Sequence, residues 1–167
     1  PKAENHLRFF TLNVAHGRRN LPATPYLRRR TAQRNLADIA ETLKQLAPDV
    51  VALQEADGPS RWSGNFDHVA TLASEAELDS HFRGEHQELR APRFQISYGT
   101  ALLSSRLLKD TLSITFEPTP PTFSKGFLVS AIEWPGEPEM QVDVVTVHLD
   151  FSRRSARRKQ VAQMIAE

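Results

Sequence analysis

Three polar residues close short apolar runs, and each is of a type that can ligate a cation or make hydrogen bonds in a cleft. Asn13 follows Arg8-Phe9-Phe10-Thr11-Leu12. Glu55, with Gln54 before it, follows Asp49-Val50-Val51-Ala52-Leu53. His148 follows Val144-Val145-Thr146-Val147 and precedes Leu149-Asp150. The end of a buried strand is where a polar side chain can project into a cleft, so three such ends make a candidate site when the runs lie side by side. Glu55 is the most informative of them. A carboxylate that continues an apolar strand is costly to bury alone, so it must be metal-bound, paired or solvated. As a hard-cation ligand it supplies the single carboxylate that a Mg²⁺ site takes, with waters and substrate phosphate completing the shell; the plain alternative is that it opens a loop into water. Asn13 can serve the same site or simply end a strand for turn reasons. Alternation places His148 on the face that carries Thr146. A neutral imidazole there can polarise a phosphoryl oxygen or donate a proton, against the competing reading of a satisfied core histidine.

The elements that must position these residues alternate at first. Leu7–Val14 reads as a strand, and Thr31–Ala47 as a helix with Leu36, Ile39, Ala40, Leu43 and Leu46 on one face, stopped by Pro48. Val50–Gln54 is too short an apolar run for a helix and reads as a buried strand. Phe66, Val69, Leu72, Ala73 and Ala76 mark a second helix with Asn65 as its cap. Strands then follow one another: Tyr98–Ser104, Leu107–Phe116, Phe127–Trp134 and Met140–Leu149, the last two joined by the loop 135–139. Arg154–Glu167 returns to helix, capped by Ser152 or Ser155, with no stop signal after it. Helix crossovers followed by consecutive strands predict an α+β or layered α/β/β/α architecture.

Composition narrows the chemistry. At 167 residues the chain predicts one domain spanning 1–167, and 40% hydrophobic with 25% charged residues is ordinary for a globular protein. There is no Cys, which excludes disulfides, thiolate zinc sites and cysteine nucleophiles. His6, His16, His68, His81 and His86 show no metal-ligand spacing on a common helix face, and there is no Walker loop, Gly-x-Gly-x-x-Gly or Gly-x-Ser-x-Gly. No apolar run is long enough to span a bilayer. The net charge of +1 hides a polarity: residues 1–34 carry +7, residues 35–152 carry −10 and residues 153–167 carry +4. Such a chain can steer an anion to its basic pole and hold a cation in its acidic part.

Taken in order, four stretches resemble the endonuclease/exonuclease/phosphatase superfamily, the DNase I-like metal-dependent phosphodiesterases. They are Thr11-Leu12-Asn13-Val14; Pro48-Asp49-Val50-Val51-Ala52-Leu53-Gln54-Glu55; Tyr98-Gly99-Thr100-Ala101-Leu102-Leu103-Ser104; and Thr146-Val147-His148-Leu149-Asp150. The last helix, with Arg157 and Gln160, is similar too. The resemblance implies an α/β fold of the DNase I-like four-layer α/β/β/α type. It implies Glu55 as ligand of Mg²⁺, with Mn²⁺ as a substitute, and Asn13 at the metal and phosphate site. It sets His148 against the scissile phosphate and Tyr98 and Arg157 at the substrate. Thr100 stands where close relatives often carry Asn, and Ser105 where a basic residue is common. The family's later Gly-Asp-x-Asn and Ser-Asp-His motifs have no counterpart in residues 1–167. The expectation is therefore the N-terminal portion of such a domain, incomplete at its C-terminus, with sheet edges open to self-association.

The reading that follows is a Mg²⁺-dependent hydrolase of phosphodiester or phosphomonoester bonds, using water attack on a polarised phosphate, with the 167 residues alone inactive. Its partner is a phosphate ester. Nucleic acid is one candidate, since Arg18, Arg19 and the Arg28–Arg30 cluster could contact a phosphate backbone; a merely solvated loop is the competing reading of these arginines, and phospholipid and inositol phosphate stay open as substrates. The alternative is a catalytically incomplete fragment or a non-catalytic anion- or protein-binding module of the same fold, for which Arg153-Arg154 and Arg157-Arg158-Lys159 offer a basic surface. A soluble protein is expected, cytoplasmic by default, and secreted or periplasmic if a segment upstream of Pro1 has been removed.

Overall fold

The computed structural model describes residues 5–19, 26–91 and 94–167. These form the strands β1 (Phe9–Asn13), β2 (Val50–Asp57), β3 (Ser80–Ala91), β4 (Phe94–Ser104), β5 (Lys109–Thr115), β6 (Gly126–Trp134) and β7 (Glu137–His148). Between and after them run the helices α1 (Arg29–Leu46), α2 (His68–Glu75) and α3 (Arg154–Ala166). One sheet has the order β1-β2-β4-β3 and the other β5-β6-β7. Among the described residues only the β1–β2 pair is parallel, joined by the α1 crossover that such a pair needs.

Alternation along β2 divides the interior into two cores. Val51 and Leu53, with Ala101 and Leu103 of β4, face Ala32, Leu36, Ala40 and Leu43 of α1 and Val69, Leu72 and Ala73 of α2. Val50, Ala52 and Leu102 point the other way, onto Leu128 and Ile132 of β6 and Val142 and Val144 of β7. The first sheet is thus covered by helices on one face and by the second sheet on the other, which is why Val50–Leu53 of β2 is apolar without alternation.

Local chemistry sets the element ends. α1 closes at Ala47 in the left-handed region (φ 45°), its N–H bonded to the Leu43 carbonyl, with Pro48 following. α2 is capped by Asp67, whose carboxylate accepts from the Ala70 N–H, not by Asn65, which occupies a left-handed turn. α3 is started by neither Ser152 nor Ser155 Oγ. Asp150 Oδ1 accepts from the N–H groups of Ser152 and Arg153 and from Ser152 Oγ. β7 begins at Glu137 because a turn at Pro135–Gly136 (Gly136 φ 82°) replaces the longer loop expected over 135–139. β3 is a strand that the alternation pattern did not reveal. Its Ser-His-Phe-Arg-Gly-Glu-His-Gln-Glu-Leu-Arg-Ala is largely polar, and it forms because β4 pairs with it from Ser80↔Ser104 to Ala91↔Phe94.

Gly126, at the start of β6, allows a close approach between strands. A Cβ there would lie 2.3 Å from both His86 Nδ1 and the Ile114 carbonyl oxygen. Gly126→Ala is expected to cost about 2–3 kcal/mol in urea denaturation. Adding His86→Ala should restore only part of it, because the Ile114 contact is backbone.

Candidate functional site

β1, β2 and β7 bring their polar ends together. Asn13 pairs with Gln54 across β1–β2, and Gln54 Nε2 donates to Thr11 Oγ1 of β1 and Thr146 Oγ1 of β7, each at 3.3 Å. One amide therefore ties both sheets together next to Glu55 and two residues from His148.

Glu55 leaves the regular strand. Its φ is +53°, and the β2–β4 register slips between Gln54 and Ala56, a bulge that re-aims the side chain. A left-handed conformation at a residue with a Cβ costs about 1 kcal/mol or more. The carboxylate so placed has Oε1 3.7 Å from His148 Nε2 and Oε2 3.3 Å from His16 Nε2. His16 is itself left-handed (φ 55°), in the 3₁₀ turn Ala15–Gly17 that follows β1. Its Nδ1 donates to Asp57 Oδ1 at 2.8 Å, and the second Asp57 oxygen accepts from Trp62 Nε1–H at 2.9 Å. Asp57 is completely buried, and both of its oxygens are satisfied. The His16 ring lies 4.5 Å from Trp62 and edge-on to Tyr98 at 5.0 Å. Phe123 meets Trp62 and Tyr98 edge-on.

Burial governs the titration of this cluster. It pushes His148 down to about 4, aided by Lys125 and His16 and opposed by Glu55. It also takes His86 down to about 4, with His148, Arg83 and Lys125 acting in the same direction. Both imidazoles are neutral at neutral pH. The Tyr98 hydroxyl is held protonated by burial and by the charges of Glu55 and Asp57. Burial would raise Asp150, but hydrogen bonds from Thr122, Ser152 and Arg153 outweigh it and hold the carboxyl below the usual range.

The residues named from the sequence fall into two groups. Glu55, His148 and Tyr98 lie within one cluster, and Asn13 sits one strand over, its Oδ1 accepting from the Ala15 N–H at 2.9 Å. Arg157 donates to the carbonyls of Asp150 and Phe151, and so holds the turn after β7. Arg18 donates to the Trp62 carbonyl and lies 5.8 Å over its ring, while Arg19 pairs with Asp38. Residues 20–25, which join them to the Arg28–Arg30 cluster, lie outside the described residues. His16, Asp57 and Trp62 escaped the sequence reading. The available signal was a histidine three residues after Asn13 and an acid two after Glu55, but the bulge that makes them meet is invisible to alternation. Among the described residues, no three His, Asp or Glu side chains converge as a ready metal cage.

Two packed sheets with helices over one face, and a carboxylate–histidine cluster where their strands end, define a DNase I-like α/β sandwich. The chain belongs to the endonuclease/exonuclease/phosphatase family, whose sequence model matches residues 10–163. An endonuclease/exonuclease/phosphatase from Beutenbergia cavernae superposes with a TM-score of 0.71 at 18% identity, over 96% of this chain and 44% of that one. A humanized D. rerio TDP2 matches with a TM-score of 0.63 at 20% identity, over 96% and 58%. D. rerio TDP2 complexed with a single-strand DNA product matches at 0.61 and 20%, over 95% and 52%. The chain thus spans about half the length of these structures. No curated protein matches it significantly. Among the described residues, no helix is long and apolar enough to cross a membrane.

The buried His86 sets a pH dependence. The unfolded chain takes up its proton near 6.5 and the folded chain only near 4, so this contribution is complete above pH 6.5 and is lost as the pH falls toward 4. Over that window wild type should lose about 3 kcal/mol more than His86→Gln in chemical denaturation.

Proposed function

We propose that this chain carries the metal- and phosphate-binding half of a divalent-metal-dependent phosphoric-ester hydrolase, with a nucleic-acid phosphodiester as the favoured substrate. The observation that carries the proposal is the convergence of His148 from one sheet and His16 from the other on the Glu55 carboxylate, held on a strained bulge. Strain that persists at one polar side chain points to a role for that side chain. The family and the DNA product in the D. rerio TDP2 structure favour a phosphodiester.

The donor set suits Mg²⁺. Glu55 offers a partly exposed carboxylate, and the exposed Asn13 amide oxygen keeps a second lone pair beyond its bond to Ala15. A divalent ion bound there would neutralise charge on the phosphoryl oxygens and acidify a water. The chain's own residues supply the rest. Neutral His148 presents Nε2 at the Glu55 carboxylate and can hydrogen-bond a phosphoryl or leaving oxygen. Asp57 holds His16 through Nδ1 and Trp62 packs on its ring, so the imidazole is fixed in place 3.3 Å from the Glu55 carboxylate. Tyr98, protonated throughout the physiological range, forms a wall of the cluster.

The 3.3 Å contact of His16 with Glu55 also favours a second reading, a non-catalytic anion-binding module in which histidine takes the cation's place. Calorimetry separates the two. Mg²⁺ should bind wild type and fail to bind Glu55→Gln. In the complete protein, Glu55→Gln and His148→Ala should each lower metal-dependent phosphodiester turnover by about 10²–10³-fold. Near-wild-type turnover in both variants, or heat-silent Mg²⁺ addition to wild type, would overturn the hydrolase reading.

A further inference from the structure

Lys125 has no role in the site as described so far, yet it is built into it. It immediately precedes Gly126, the residue that pairs with His148, and its own carbonyl accepts from the Phe116 N–H at 2.9 Å, so its backbone is held where β6 begins. The residue is only 6% exposed. Its ammonium lies 5.6 Å from the Tyr98 ring centroid and 6.0 Å from that of Phe151, itself 76% exposed at the rim. Among the described residues, no carboxylate lies within ion-pair reach of it.

A buried lysine without a paired carboxylate is rare, because lysine is almost never fully buried unless paired. The ring contacts do not balance the loss of hydration. Cation–π attraction replaces only part of the hydration that an ammonium loses on burial. Glu55 and Asp150 act on Lys125 only from a distance. They oppose the downward pull that burial exerts on its pKa without closing a contact. The ammonium also depresses His148 and His86, so its field reaches the centre of the site. A cation set against the Tyr98 and Phe151 rings, whose field reaches Glu55 and His148 and which no carboxylate contacts among the described residues, is a half-made ion pair. Its missing half is a ligand.

We infer that Lys125 is the phosphate-anchoring residue of this site, its ammonium pairing with a non-bridging oxygen of the phosphate ester that lies against His148. The inference rests on the phosphoric-ester reading of the cluster and adds a substrate-contacting residue to it. It also predicts the charge requirement of the ligand: a phosphate that presents an anionic non-bridging oxygen is held, and a neutral analogue is not.

The test uses inorganic phosphate as probe, titrated into the protein at fixed ionic strength and followed by calorimetry or ³¹P NMR. Lys125→Met should weaken phosphate binding about ten- to a hundred-fold, and Lys125→Arg should recover most of it. Mg²⁺ binding should persist in both, since Glu55 is untouched. Phosphate affinity unchanged in a folded Lys125→Met protein overturns the inference. Should that variant fail to fold, a paired-ligand comparison on wild type and Lys125→Arg decides instead. A dinucleotide phosphodiester must bind more tightly than its uncharged methylphosphonate by the same ten- to hundred-fold, and equal binding overturns the inference. The two readings fail separately. Lys125-dependent phosphate binding without metal-dependent turnover removes the hydrolase and keeps the subsite. Turnover in the complete protein that Lys125→Met leaves unchanged, in kcat/KM, removes the subsite and keeps the hydrolase.

Discussion

Asp57 lies with no solvent exposure at the end of a strand buried on both faces, and its two oxygens are met one each by His16 Nδ1–H and Trp62 Nε1–H. An ionised carboxylate in that position would destabilise the fold strongly if either donor were missing. Meeting this requirement organises the neighbourhood. His16 must turn back from the end of β1 through a left-handed 3₁₀ turn, and Trp62 must fold under it from the second 3₁₀ turn. Arg18 then holds the Trp62 carbonyl and ring from behind. His16 emerges with its second nitrogen aimed at Glu55, so the buried acid determines where the exposed acid is met.

The bulge at Glu55 is the other half of the arrangement. A regular strand would send residues 54, 55 and 56 alternately to its two faces. With φ at +53° and the β4 register slipped by one, Gln54 spans the sheets to Thr11 and Thr146 while Glu55 reaches both histidines. Neither sheet could hold this cluster alone. His148 arrives on β7 and Lys125 at the start of β6, whereas Asn13, His16 and Glu55 belong to the first sheet and its turns. Gly126 lets β5, β6 and the His86 ring come close enough to close the gap between them.

The arginines show how tertiary structure sorts residues that a sequence groups only by charge. Arg18 is buried against Trp62, Arg19 pairs with Asp38, and Arg157 fastens the carbonyls of Asp150 and Phe151. Part of the basic character of the two chain ends thus serves intramolecular contacts. Lys125, buried with no carboxylate in ion-pair reach among the described residues, belongs to no charge run at all, and nothing in its Phe-Ser-Lys-Gly-Phe setting distinguishes it from a solvated lysine.

What the sequence determined by itself is what depends on short-range pattern. The apolar face of α1, the run Val50–Leu53, the helix crossover after β1 and the strand ends at Asn13 and His148 are legible because they follow from side-chain period and chain stops, and ordered motifs named the family; β2, expected to stop at Gln54, runs on through a bulge at Glu55 to Asp57. Tertiary structure alone decided the rest. β3 is a strand because β4 pairs with it, not because of its polar residues. Asp67 rather than Asn65 caps α2, because the chain must first make a left-handed turn. The meeting of His16 and Asp57, forty-one residues apart, with Glu55 depends on a backbone bulge that no local propensity encodes. Alternation rules describe regular strands, and the candidate site is assembled where the strand ceases to be regular.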